Sequence, residues 1–208
     1  LDNNVFVARS ATINGKNWEK WNGSSWGGDP APAVDAELSA TETFFGAGEP
    51  SLVVKGDQIY LYYTYSDNEQ GIYNVRLMTA AASDPNWPAS MTDQGEVIDR
   101  TAFKGLNVDG CSVRYIEDQD CFQAVHGVNI ADVNSYSVVW VSKDGVSGWE
   151  QKGLLSNNIR VRAKYARFIC NEQSHITSTT PRVMIYQNGG QYSKTTWPTR
   201  MVPYSFVE

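Results

Sequence analysis

Apolar and polar residues alternate with a period of two over most of this chain. Ile59, Leu61, Tyr63 and Tyr65 fall on one side of one such run, and Val5–Ser10, Ile72–Met78, Phe122–Val128 and Tyr136–Val141 follow the same pattern. Alternation of this kind puts successive side chains on opposite faces of a pleated strand, so it predicts half-buried β-strands. No segment holds the helical period long enough to predict a long helix. Between the runs stand Lys55-Gly56-Asp57, Asp118-Gln119-Asp120, Asp144-Gly145 and Asn188-Gly189-Gly190. Gly, Asn and Asp accept the positive φ of tight turns, so consecutive strands are predicted to fold back as short antiparallel hairpins.

The pattern repeats. Glu49-Pro50-Ser51-Leu52-Val53 is echoed by Asp109-Gly110-Cys111-Ser112-Val113, and each is followed by a hairpin, a third strand and a tryptophan, Trp87 or Trp149. The segment Ser10–Trp18 parallels Ser142–Trp149, and Arg167-Phe168-Ile169 matches Arg114-Tyr115-Ile116, which aligns Arg162 with Asp109. A unit of about sixty residues with four strands predicts an all-β fold, a β-propeller of four-stranded antiparallel blades. The strand count is two, four, four and three, with Met201–Val207 as the last run. That makes about three and a half blades in a single domain over residues 1–208, beginning mid-blade. Such a chain is either part of a larger ring or a four-bladed ring closed by Val5–Ser10 pairing with Met201–Val207.

Composition narrows the partners. With 17 Lys+Arg against 23 Asp+Glu, a net charge of −6, the chain lacks the cationic field that nucleic acid or an anionic membrane selects. No apolar run approaches the roughly 18 residues of a membrane span. Cys111, Cys121 and Cys170 show no zinc-ligand spacing and allow at most one internal disulfide, and Asp67, Asn68 and Glu69 do not complete an oxygen-ligand loop. No metal or cofactor is expected. Seven Trp, eleven Tyr and seven Phe suit strands, and they also suit surfaces that stack on sugars.

Three motifs carry a resemblance. Gly46-Ala47-Gly48-Glu49-Pro50-Ser51-Leu52-Val53, the Tyr-rich Ile59–Thr64 strand, and Ser142-Lys143-Asp144-Gly145 leading to Trp149 resemble the five-bladed propeller glycosidases, the arabinanase, β-xylosidase and invertase-like group. The resemblance implies a five-bladed parent fold and a glycoside hydrolase-like protein acting on a plant or microbial oligosaccharide or polysaccharide. It also implies a secreted or periplasmic location, although Leu1-Asp2-Asn3-Asn4 lacks the order of a leader peptide. In that group three carboxylates meet at the mouth of the central channel. By resemblance Glu49 takes the place of the pKa-tuning acid and Asp109 that of the general acid, while the first-blade acid would lie upstream of Leu1. The alternative from another class is a non-catalytic glycan-binding or surface-interaction propeller.

Each candidate has a plainer reading. Glu49 is also what a strand-opening acid looks like when it binds backbone amides beside glycines, and Asp109 is also an Asp-Gly turn residue. Arg162 and Lys164 either hold a substrate hydroxyl or carboxylate, or pair with Glu49 and Asp109. His126 alternates with Phe122 and Ala124, which suits packing between blades as well as a ligand contact. His175 reads as a bystander in a polar loop. Trp18, Trp87 and Trp149 are expected in one repeated structural slot. Trp26, with Trp21 and Trp197, is expected in loops, either anchoring them or offering a sugar-stacking face.

Overall fold

A computed structural model describes residues 3–12, 15–36, 46–67, 72–98, 108–128, 136–155, 163–188 and 199–205. The predicted strands form, with no α-helix among the described residues. β1 (Ala8–Ser10) and β2 (Trp18–Lys20) make a two-stranded sheet. β3 (Gly46–Lys55), β4 (Gln58–Asp67), β5 (Ile72–Ala81) and β6 (Thr92–Ile98) make a four-stranded antiparallel meander. β7 (Val108–Ile116), β8 (Cys121–Val128), β9 (Tyr136–Ser142) and β10 (Glu150–Leu154) repeat that meander, and β12 (His175–Ile176) adds to its β7 edge in parallel. β11 (Ala163–Phe168), β13 (Val183–Asn188) and β14 (Thr199–Pro203) form the last sheet. The strand count of two, four, four and three holds, with β12 as an unforeseen addition.

Two corrections concern pairing. Val5 bridges to Val34, β1 pairs with β2 and β14 with β13; among the described residues none of Val5–Ser10 pairs with the Met201–Val207 run, so the expected ring closure is not seen there. His175 is no loop bystander. Segment 171–176 doubles back between two sheets, where the Tyr115 N–H donates to the Ser174 carbonyl (3.1 Å) and the Val54 N–H to the Gln173 carbonyl (3.1 Å). The His175 ring contacts Glu117 Oε1 through Nδ1 (2.8 Å) and the Val54 carbonyl through Nε2 (2.5 Å). A short strand of two residues carries no alternation to read, which is why sequence pattern missed it.

The sheets stack face to face. One core holds Val53, Tyr62 and Leu77 from the first meander against Val113, Phe122 and Trp140 from the second, and the next holds Ile116 and Val125 against Phe168, Met184 and Tyr186. Every residue of β8 is buried, because that strand is covered on both faces. Trp149 fills the first of these interfaces, edge-on to Tyr62 at 6.0 Å, and Trp87 packs into the interface on the other side of the β3–β6 sheet. Trp18 departs from the shared slot. It is 57% exposed on a fully exposed β2, and no described sheet covers it; buried Trp21 is the N-terminal tryptophan that packs.

The Ser142–Trp149 loop shows how a motif becomes a joint. Asp144 Oδ1 accepts the N–H groups of Val146 (2.8 Å) and Ser147 (2.7 Å), and the Ser142 hydroxyl accepts the Gly145 N–H (3.0 Å). Burial alone would raise the Asp144 carboxyl; the Ser147 N–H and hydroxyl, the Val146 N–H and the Ser142 hydroxyl outweigh it and hold the group at about 2. Locked this way, the loop presents the Gly145 carbonyl to the Tyr62 hydroxyl of the neighbouring sheet at 2.8 Å.

Candidate functional site

β3 and β7 lie side by side and run in the same sense. Glu49 meets Gly110 at one end, the Ser51 hydroxyl accepts the Val113 N–H midway (2.9 Å), and segment 171–176 ties Val54 and Tyr115 together at the other end. The strand openings therefore share one end of the molecule, as the repeat requires.

At that end each inner strand carries a bulge at one level. Two residues of the inner strand face one of its partner: Glu49-Pro50 opposite Tyr63, Gly110-Cys111 opposite His126, and Tyr165-Ala166 opposite Tyr186. The bulges correct the repeat by a residue or two. Gly48, Asp109 and Lys164 are equivalent, and so are Glu49 and Gly110; Glu49 does not align with Asp109, nor Arg162 with Asp109. Backbone angles agree, since Glu49 has φ +52° and Gly110 φ +72°. Bulges redirect side chains and recur beside active sites. A glycine takes this conformation freely, whereas a glutamate is strained in it.

The Glu49 carboxylate reaches across the gap between sheets. Its Oε2 accepts the Gly110 N–H and the Thr64 hydroxyl (3.3 Å), which is the backbone-amide contact that the plainer reading gave it. Arg167 donates from Nη1 to the Gly110 carbonyl (2.8 Å), so Gly110 is gripped from both sides. One level further in, Arg114 donates from Nη1 to the Ser51 hydroxyl (2.9 Å) and the Val113 carbonyl (2.5 Å). Burial pushes the Cys111 thiol up to about 12, with Glu49 adding to the rise against Arg167 and Arg114. It is therefore an inert packing group.

The other sequence candidates separate. Asp109 pairs with Gly127 and Lys164 with Gln187, which puts both at the same end as Glu49; their side chains lie outside the described residues, as does Arg162 altogether. His126 is wholly enclosed behind the second bulge. Trp26 lies at the opposite end. Its Nε1 donates to the Pro85 carbonyl (2.6 Å), its edge meets Trp21 at 5.5 Å, and the Arg9 guanidinium covers its ring at 4.6 Å. β5 runs away from the bulges and residue 85 follows its far end, so Trp26 anchors a loop there. Among the described residues no three His, Cys, Asp or Glu side chains gather as a metal site. Sequence reading missed Thr64, Arg114 and Arg167 as members of the site. The sequence matched Arg114 with Arg167, whereas the register sets Arg167 level with Ser112 and Arg114 two residues further in; nothing in the pattern said that both heads turn toward the inner edges.

His126 has a measurable consequence. Burial first, then the Arg167 charge, lowers its imidazole to about 3, so the folded chain holds it neutral while the unfolded chain protonates it near 6.5. A lowered value means stability falls as pH drops through that window, at up to about 1.4 kcal/mol per pH unit. Denaturant melts of wild type and His126→Gln at pH 7, 6 and 5 are expected to show that slope in wild type and its loss in the variant.

No protein-family model and no curated sequence matches the chain. Solved structures do match in shape. A thermostable family-43 glycoside hydrolase superposes with a TM-score of 0.59 at 11% identity, over 92% of this chain and 63% of its own. The chain shares the fold of that hydrolase over the part it covers. The catalytic domain of a GH62 α-L-arabinofuranosidase from Coprinopsis cinerea gives 0.55 at 11% identity over 88% and 66% of the two chains. A family 117 glycoside hydrolase from the marine bacterium Zobellia galactanivorans gives 0.55 at 9% over 89% and 51%. The chain thus spans between half and two thirds of the length of these three proteins. At such identities the likeness is one of fold, in keeping with the propeller expectation.

Proposed function

We propose that the sheets are successive blades of a glycoside hydrolase-like propeller, five-bladed in its complete form, whose mouth at the inner-strand bulges binds a glycan. The observation that carries the reading is Glu49: a carboxylate held at positive φ on the bulge of an inner strand, where the equivalent position in the next sheet is glycine. Strain of this kind persists where a side chain must be aimed. Glu49 orients and tunes the site, and Asp109, one register step away on the neighbouring strand, supplies the acid that protonates a leaving oxygen. His126 backs the second bulge as a neutral ring, and Lys164 and Arg167 supply polar contacts.

Hydrolysis needs one carboxyl as acid, the role given to Asp109, and one carboxylate that takes the proton of the attacking water or attacks carbon itself, a role that falls to another blade of the complete propeller. Incubation of the chain with arabino-, xylo-, galacto- and manno-oligosaccharides, followed by product chromatography, tests the reading. Cleavage that is lost in Asp109→Asn supports the hydrolase. Binding without cleavage assigns the glycan-binding alternative, and neither binding nor cleavage contradicts both.

A further inference from the structure

The common bulge level fixes which residues hold equivalent positions around the mouth, and the third inner strand breaks the trend of the first two. Before the bulge stand Gly48, Asp109 and Lys164; after it stand Ser51, Ser112 and Arg167. Neutral and acidic residues on β3 and β7 are thus answered by two cations on β11. The run Arg160-Val161-Arg162-Ala163-Lys164-Tyr165-Ala166-Arg167 contains four cations and no acid, in a chain whose net charge is −6. Such a local excess against the global sign marks where an anion would be drawn.

The geometry places part of that charge at the site. Arg167 reaches over the strand gap to Gly110, the residue whose N–H is bound by Glu49, and its charge acts on both Cys111 and His126. Arg114 stands at the next level, with a buried Nε that has no partner among the described residues. With Glu49 on β3 and Asp109 on β7, the acids of the mouth stand on the first two inner strands, and β11 brings cations without an acid. Sugar hydroxyls suit the Glu49 side. A planar carboxylate suits the β11 side, because the guanidinium fork matches its two oxygens and partial burial strengthens the contact.

We infer that the glycan bound at this mouth carries a uronic-acid carboxylate, seated toward β11 with Arg167 as its specificity-determining contact and Lys164 at the neighbouring equivalent position. The inference rests on the glycan reading above and narrows its substrate class to acidic glycans.

The test is equilibrium binding of the full 208-residue chain to matched pairs: oligogalacturonate against its methyl ester, and glucuronate-decorated against undecorated xylo-oligosaccharide. The acidic member of at least one pair is expected to bind about tenfold tighter or better, with an advantage that shrinks as salt rises. Arg167→Gln removes the advantage, read as the ratio of acidic to neutral affinity within each pair. Because Arg167 also bonds to the Gly110 carbonyl, Lys164→Gln serves as the second variant, expected to reduce the preference in part. Equal binding of both members of each pair overturns the acidic-glycan inference and leaves the glycan reading standing. Silence of acidic and neutral members alike overturns both.

Discussion

Gly145→Ala is expected to lower stability by at least about 3 kcal/mol, a fall in Tm of roughly 6–12 °C for a chain of this size if it unfolds cooperatively. Two effects coincide there. Gly145 has φ +77°, where any Cβ is strained, and an added Cβ would sit 2.6 Å from the Tyr62 hydroxyl and 2.9 Å from the Phe122 ring. Both neighbours are fully buried and belong to the core between two sheets, so neither can retreat cheaply. Thermal melts of the single variant, Tyr62→Phe and the double variant separate the contributions. Removing the hydroxyl takes away the worst contact, so the double variant is expected to lose less than the sum of the singles. A Gly145→Ala chain that melts within about 1 °C of wild type would contradict the joint described here.

Glu49→Gln is expected to reduce glycan turnover by about a hundredfold or more while leaving the fold intact. The amide keeps the size of the side chain but removes its negative charge, and it presents either an oxygen or an N–H group to Gly110 and Thr64. Position 49 already tolerates an unfavourable φ, and Gln adopts it at a similar cost, so the stability change is expected to be small beside the change in turnover. Steady-state kinetics on whichever oligosaccharide the chain cleaves, with circular dichroism as the fold control, checks this. A Glu49→Gln chain that retains wild-type turnover would reduce Glu49 to a strand tie.

How much of this was legible beforehand follows from what kind of signal each feature leaves. Period-two runs such as Ile59–Tyr65 and Phe122–Val128 gave the strands, because half-buried sheets impose alternation. The spacing of Trp87 and Trp149 gave the repeat, because both fill sheet interfaces. The bulges left almost nothing to read. Gly110, in an Asp-Gly pair, hinted at positive φ, but Glu49 adopts the same conformation without a glycine, so motif alignment placed Glu49 against Asp109 and missed by one residue. The clasp of segment 171–176 was invisible for a different reason. Its bonds from Val54 and Tyr115 join residues far apart in sequence, and His175 has no local pattern to announce a buried ring. Trp26 shows the limit of residue-type reasoning, since a loop tryptophan beside glycines reads as a stacking face until the Arg9 guanidinium is seen over its ring and the Pro85 carbonyl on its N–H.

In the proposed reading the openings of the inner strands converge on one mouth that holds the glycan. Amide hydrogen exchange with and without a saturating bound oligosaccharide tests it most directly. Protection gained on binding is expected to concentrate at residues 46–50, 108–111 and 163–167, with residues 54–57, 115–121 and 168–176 unchanged. Protection confined to the latter set, or to the loop around Trp26, would contradict it.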